Sequence, residues 1–143
     1  MRIGLNGRLD TLQAAVVLEK LKIFDDEVAL RQQAAQRYTQ SLPKGVVVPR
    51  VPEGLQSVWA QYSILTSQRE ALMTLLKSQD IPTVVYYPNP LHLQKAFADL
   101  QYAPDSCPVA EKTAHQILSL PLHPYLTESE QKKILTAIQR FGH

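Results

Sequence analysis

From Thr11 to Leu42 the chain carries neither glycine nor proline, and no other stretch limits the possible folds so strongly. A helix over the whole span would be roughly 48 Å long at about 1.5 Å per residue, longer than a domain of this size is wide. Asp10 is placed to cap it, with Gln13 three residues on in capping-box spacing. Val17, Leu21, Phe24, Val28, Ala35, Tyr38 and Leu42 recur at spacings of three, four or seven and make one apolar stripe. The first half asks for more, because Leu12, Ala14, Ala15, Val16, Val17 and Leu18 wrap nearly the whole circumference. After Leu21 the opposite face turns charged, with Lys22, Asp25, Asp26, Glu27 and Arg31. The amino-terminal half is therefore expected to meet a surface this chain does not itself provide, a further domain or a second subunit.

The remaining composition narrows the class. A chain of 143 residues suits one domain with a sizeable core and leaves no room for a second. Hydrophobic residues at 45% and charged residues at 20% describe an ordinary globular protein. No apolar run approaches the ~20 residues of a membrane span, and Met1-Arg2-Ile3-Gly4 lacks the apolar core of a signal peptide. A single cysteine rules out an internal disulfide framework and makes a reducing, cytoplasmic setting the expectation. The net charge of +2 comes from scattered basic residues, which gives nucleic-acid binding little support.

Beyond Pro43-Lys44-Gly45 the pattern changes period. Val46 to Val51, between prolines, predicts a short edge strand, and Val58 to Thr66 alternates as a pleated segment does. Ser67-Gln68-Arg69-Glu70 has capping-box spacing before a helix buried through Ala71, Leu72, Leu75 and Leu76. Pro82 to Tyr87 reads as a third strand, and Pro88-Asn89-Pro90 turns it into a stiff loop. Short helices are expected over Leu93 to Leu100 and Ser106 to Leu118, the latter capped by Ser106. A last helix opens at the capping box Thr127-Glu128-Ser129-Glu130. The expected class is α+β: a long amino-terminal helix and a small antiparallel sheet of about three strands covered by helices.

Few residues suggest chemistry by themselves. Gly4-Leu5-Asn6-Gly7-Arg8, just before a helix start, suits an anion, with Arg8 adding a fork of donors; a capped, flexible amino terminus explains the same residues. The 4 histidines are dispersed and Cys107 has no partner cysteine, so spacing offers no metal site. His92, behind the Tyr-Pro loop, is either a ligand contact or a surface side chain. Trp59 and Tyr62 read as core. Tyr86 and Tyr87 could stack on a planar base or sugar, Tyr87 the better placed because Pro88 fixes its exit from the sheet. The lysines are explained as solvated faces.

Four ordered blocks carry a resemblance: Gly4-Leu5-Asn6-Gly7-Arg8-Leu9-Asp10-Thr11-Leu12-Gln13-Ala14-Ala15, Tyr86-Tyr87-Pro88-Asn89-Pro90-Leu91-His92-Leu93-Gln94, Cys107-Pro108-Val109-Ala110-Glu111-Lys112 and Leu118-Ser119-Leu120-Pro121-Leu122-His123-Pro124. From Gly4 nearly to its end the chain resembles the carboxy-terminal part of the DegT/DnrJ/EryC1/StrS family, pyridoxal-phosphate-dependent aminotransferases of nucleotide-linked keto-sugars. The resemblance implies a lead-in and interdomain helix over residues 1–42 and a small domain over 43–143. The large cofactor-binding domain would precede them, in a homodimer. That domain would hold the Schiff-base lysine and the carboxylate facing the pyridine nitrogen, so no catalytic residue is expected here and this segment alone should neither retain pyridoxal phosphate nor transaminate.

Specific roles follow from the resemblance. Asn6 matches the asparagine that reaches the cofactor phosphate in the neighbouring subunit's site. Arg8 matches a residue near the substrate's sugar or its acidic group. Tyr86 and Tyr87 match a pair on the loop over the sugar nucleotide, with His92 nearby. Many members have histidine where Tyr86 stands, so no acid or base role is carried to it, and Asn89 replaces a residue that is usually apolar. Ser57 to Tyr62, Ile81-Pro82-Thr83 and Tyr86-Tyr87-Pro88 are most similar to enzymes that aminate a 3-keto UDP-N-acetyl-glucuronate, with glutamate as donor, in O-antigen sugar synthesis. A non-enzymatic nucleotide-binding or assembly module is the alternative.

Overall fold

The computed structural model describes residues 7–141. Asp10 closes the amino end of the first helix, α1 (Thr11–Leu21), its Oδ1 accepting from the backbone N–H of Gln13 at 2.8 Å. The helix does not run on to Leu42 as expected. It stops at Leu21 and restarts as α2 (Phe24–Ser41). At the junction the N–H groups of Lys22 and Ile23 reach back three residues, to the carbonyls of Glu19 and Lys20 at 3.2 and 3.3 Å, and Ile23 leaves the helical region with ψ 6. The break carries its own tie. On a straight helix residues seven apart lie about 10.5 Å apart along the axis, a gap that two long side chains span here. Lys20 on one side donates to the buried carboxylate of Glu27 on the other, which also accepts from the Tyr125 hydroxyl.

The sheet is smaller than expected and differently composed. Strands β1 (Tyr62–Leu65) and β2 (Ile117–Leu120) pair antiparallel, with Tyr62 opposite Leu120 and Leu65 opposite Ile117. The segments 46–51 and 82–87 contribute one bridge each, Val47 to Leu65 and Val84 to Ser119. Pro49, Pro52 and Pro82 remove the donors that would extend those pairings. The strand expected over 58–66 is cut to four residues, since Trp59 at φ 50 leaves the extended region. β2 itself falls where a helix to Leu118 was expected. The antiparallel sheet, the helices around it and the α+β class are as the pattern indicated.

Helices α3 (Arg69–Ser78), α4 (Pro108–Gln116) and α5 (Glu128–Phe141) complete the fold. The core joins Tyr38 of α2, Tyr62 and Ile64 of β1, Leu72 of α3, Leu118 of β2 and Ile138 of α5, all fully buried. Each such aliphatic side chain contributes about 1.5 to 3 kcal/mol through burial. Trp59 and Tyr62 are core, as expected, with ring centroids 5.5 Å apart, and Tyr38 lies 5.0 Å from Tyr62 on the other side. Their polar tips are satisfied: Trp59 Nε1 donates to Gln32 at 2.7 Å, and the Tyr38 hydroxyl donates to the Pro121 carbonyl at 2.9 Å. Burial pushes the phenol of Tyr38 well above its ordinary pKa, so it stays a neutral donor.

Helix α1 takes no part in this core. None of its residues is buried, and Leu12 and Val16 are 82% and 70% exposed. Among the described residues no helix is long and apolar enough to cross a membrane.

Candidate functional site

Val84 exchanges both of its backbone hydrogen bonds with Ser119, at 3.3 and 2.8 Å, and so fixes the segment that leads into Tyr86 and Tyr87 to the edge of β2. Their peptide bond is cis and the rings meet edge to face, centroids 5.8 Å apart. Pro88 and Pro90 then hold the chain extended, and two 3-10 segments follow, Leu91–Leu93 and Lys95–Leu100, in place of the single helix expected from Leu93. The Gln94 amide donates to the Asn89 carbonyl at 3.2 Å and closes this turn on itself. The chain returns to α4 through Cys107, its N-cap, with Pro108 in the first turn. Ser106, expected as the cap, instead donates to the Ala103 carbonyl at 2.6 Å.

These segments enclose an open cavity of about 600 Å³. Tyr86, Tyr87 and His92 line it together with Cys107, Thr113 and Ile117. Tyr87 is 71% exposed and Tyr86 38%. His92 is not a free surface side chain: only 10% of it is exposed, and its Nε2 lies 3.0 Å from Glu111 Oε1. The ring of Tyr102 meets His92 edge on, at 6.0 Å. Glu111 also accepts from the backbone N–H groups of Asp105, at 3.0 Å, and Cys107, at 3.2 Å. The Asp105 N–H above all, and then His92, hold its carboxyl below the usual carboxylate pKa, so it is ionised near neutral pH.

Three of the five residues expected at the site are thus gathered around one cavity. Arg8 stands apart, exposed on the lead-in to α1 and absent from the cavity walls, and Asn6 lies outside the described residues. Glu111 is not singled out by the sequence as a site residue, although it lies within the block Cys107 to Lys112. Its separation from His92 by 19 positions hides the pair, and a glutamate near a helix start is explained by the helix dipole alone. No metal-binding group of three His, Cys, Asp or Glu side chains forms among the described residues.

The donor set can be tested against a covalently held aldehyde cofactor. Such a cofactor needs an amine inside a pocket, shielded enough to react as the free base. Every lysine of the chain is exposed, and none lines this cavity. Lys20 is moreover held charged by its bond to Glu27. The described residues do not make a covalent seat for pyridoxal phosphate.

The same fold recurs within solved aminotransferase chains. A DegT DnrJ EryC1 StrS aminotransferase from Brucella abortus matches 99% of this chain with 38% of its own, at TM-score 0.89 and 50% identity. S. venezuelae DesV, solved in complex with a ketimine intermediate, matches 98% of the chain with 38% of its own at TM-score 0.92 and 32% identity. Residues 1–139 match the DegT/DnrJ/EryC1/StrS aminotransferase family, and the chain belongs to that family. Among curated relatives, the UDP-2-acetamido-2-deoxy-3-oxo-D-glucuronate aminotransferase of Pseudomonas aeruginosa is 45% identical over 139 residues, which cover 96% of this chain and 38% of the relative. The chain therefore spans little more than a third of the length of the proteins it matches.

Proposed function

We propose that this chain is the carboxy-terminal part of an aminotransferase that moves an amino group, with glutamate as donor, onto a UDP-linked 3-keto sugar acid for surface polysaccharide such as O-antigen. In this reading residues 1–42 are the lead-in and the interdomain helical segment, broken into α1 and α2, and 43–143 the small domain. A large domain outside this sequence supplies the reactive lysine. The relative named for UDP-2-acetamido-2-deoxy-3-oxo-D-glucuronate, at 45% identity, supports the choice of sugar. The exposed apolar surface of α1 supports a larger assembly, a cytoplasmic homodimer in which that face is covered.

The cavity that gathers Tyr86, Tyr87 and His92 without any lysine carries the reading. Tyr87 and Tyr86 offer ring faces to the uridine or the sugar, which exclude water from one side of the ligand. His92 offers a ring nitrogen to a sugar hydroxyl or carboxylate. Arg8 pairs with an anionic group of the substrate, and Asn6 reaches the cofactor phosphate in the neighbouring subunit's site. Pyridoxal phosphate, where it is bound in the complete enzyme, supplies the electron sink and the carrier for the amino group.

The test is a titration of the chain with pyridoxal phosphate and glutamate, followed by absorbance. The expected result is no lysine-bound cofactor chromophore and no amino transfer to a keto-sugar. A cofactor held by one of this chain's own lysines and turning over would overturn the proposal. A second arm adds UDP-2-acetamido-2-deoxy-D-glucuronate, the stable 3-hydroxy counterpart of the keto-sugar. Tyr87→Ala is expected to weaken its binding by about tenfold, equivalent to about 1.4 kcal/mol. Tight nucleotide binding unaffected by the sugar and by Tyr87 would favour a nucleotide-binding module instead.

A further inference from the structure

We propose that Glu111 is the positioning residue of this cavity: it orients the His92 ring by engaging Nε2, which leaves Nδ1 as the ring nitrogen available to a bound sugar acid. The part concerning the ligand rests on the substrate reading above. The part concerning the ring stands on geometry alone.

Glu111 gathers donors from two otherwise separate pieces of chain. His92 comes from the 3-10 segment after the Tyr-Pro loop, and the N–H groups of Asp105 and Cys107 come from the return to α4. An ionised carboxylate only accepts, and it has about four lone-pair positions, of which three are engaged here. It also stands in the first turns of α4, where Cys107 provides no side-chain cap and the positive end of the helix favours an anion. One side chain thus satisfies a helix end, closes the return loop and faces an imidazole.

The consequence for His92 follows from donor and acceptor roles. Facing an acceptor-only partner at 3.0 Å, Nε2 must carry the proton, so the neutral ring is the Nε2–H tautomer. No buried side-chain nitrogen or oxygen among the described residues lacks a partner, so an Nδ1 without one faces solvent or a ligand. Tyr102, edge on to the ring, limits its rotation from another direction. Nδ1 then either accepts from a sugar hydroxyl or, in the protonated ring, donates to a carboxylate. Without Glu111 the ring can turn over and exchange its two nitrogens, and the ligand meets either one.

Nitrogen-15 NMR of the histidine side chains tests this in the chain as it stands, beside Glu111→Ala and Glu111→Gln. In the unmodified chain the neutral His92 ring is expected to show a dominant Nε2–H signature. In Glu111→Ala the ring nitrogens should move toward tautomer averaging, and the amides of Asp105 and Cys107 should lose protection from hydrogen exchange. Glu111→Gln keeps the volume and part of the hydrogen bonding, so it should fold if the alanine variant does not, and it should still reduce the Nε2–H share. Titration with UDP-2-acetamido-2-deoxy-D-glucuronate should show at least a tenfold loss of affinity in Glu111→Ala and a smaller loss in Glu111→Gln. An unchanged Nε2–H signature in both variants overturns the proposal, as does a mixed tautomer in the unmodified chain. If the ring signals behave as expected but the unmodified chain takes up no nucleotide sugar, the substrate reading fails while Glu111 keeps its hold on His92.

Discussion

Helices α1 and α5 both start at a side-chain cap, yet only α5, the less apolar of the two, is part of the core. α5 buries Gln131, Ile134, Ala137 and Ile138, whereas α1 buries nothing. The distribution of apolar side chains accounts for the difference. α5 concentrates them on one face and keeps charge on the other, which one neighbouring layer can satisfy. α1 spreads leucine, valine and alanine around its axis, a pattern that one layer cannot cover. What distinguishes the two is how many surfaces each needs, and within these residues α1 finds none.

The largest expected effect tests that division directly. Leu118→Ala, in the centre of the core, should cost about 2 to 5 kcal/mol, the range for emptying a fully buried leucine site. Val16→Ala on α1 should change the stability of the chain by less than about 0.5 kcal/mol. Urea unfolding of both variants measures this. A cost above about 1 kcal/mol for Val16→Ala would mean that α1 is packed by the chain's own residues after all. Self-association is the second measure, because an apolar face of this kind rarely stays free in solution. Sedimentation should reveal concentration-dependent association of the chain, and Val16→Asp should weaken it at least tenfold, about 1.4 kcal/mol.

Capping gives a finer comparison, since the same local chemistry starts both helices. Thr127 opens α5 by accepting from the Glu130 N–H at 3.3 Å, while Glu130 accepts from the Thr127 N–H at 2.9 Å. Thr127→Ala should lower global stability by about 1 kcal/mol. Asp10→Ala should shorten α1, seen as a loss of helical circular dichroism, and leave the unfolding midpoint in urea where it was. A matching loss of midpoint in both variants would place α1 inside the cooperative unit.

What could be read in the sequence follows the range of the forces involved. The caps at Asp10 and Thr127 are contacts across three residues and were legible. The apolar girth of α1 was legible too, and its meaning, a surface needing cover, agrees with its exposure. The box at Ser67 does not form: Gln68 is the N-cap of α3, without a side-chain cap bond, and its N–H is taken by Thr66 Oγ1 at 3.2 Å. β2 was lost to a helix because Ile117 and Leu118 fit either period, and pairing with β1, more than fifty residues earlier, decides the matter. At the site, the proline-fixed Tyr86-Tyr87 turn could be read from local stiffness. The His92–Glu111 contact could not, for it depends on how the loop folds back onto α4. The same holds for the break between α1 and α2, which no glycine or proline announces.

The smallest expected effect concerns that break, where the two regions are tied together. Lys20 stands in the last turn of α1, Glu27 in the first turn of α2 and Tyr125 ahead of α5, and the three meet at one carboxylate. The bond from Lys20 first, and that from Tyr125 second, hold the Glu27 carboxyl below its ordinary pKa. Unfolded, it returns to about 4.3. Between the two values the unfolded chain binds a proton that the folded chain refuses, so stability rises with pH across this window and is fully present above it. As pH falls through the folded value Glu27 protonates and the contribution is lost. Arg31 adds a weaker pull in the same direction, so removing Lys20 alone should not abolish the effect. From about pH 5 downward the melting temperature of the natural chain should therefore fall more steeply than that of Glu27→Gln, the two curves converging once Glu27 is protonated in the folded chain. Parallel curves would show that the junction is held by packing, and that charge does not set the angle at which α1 leaves the fold.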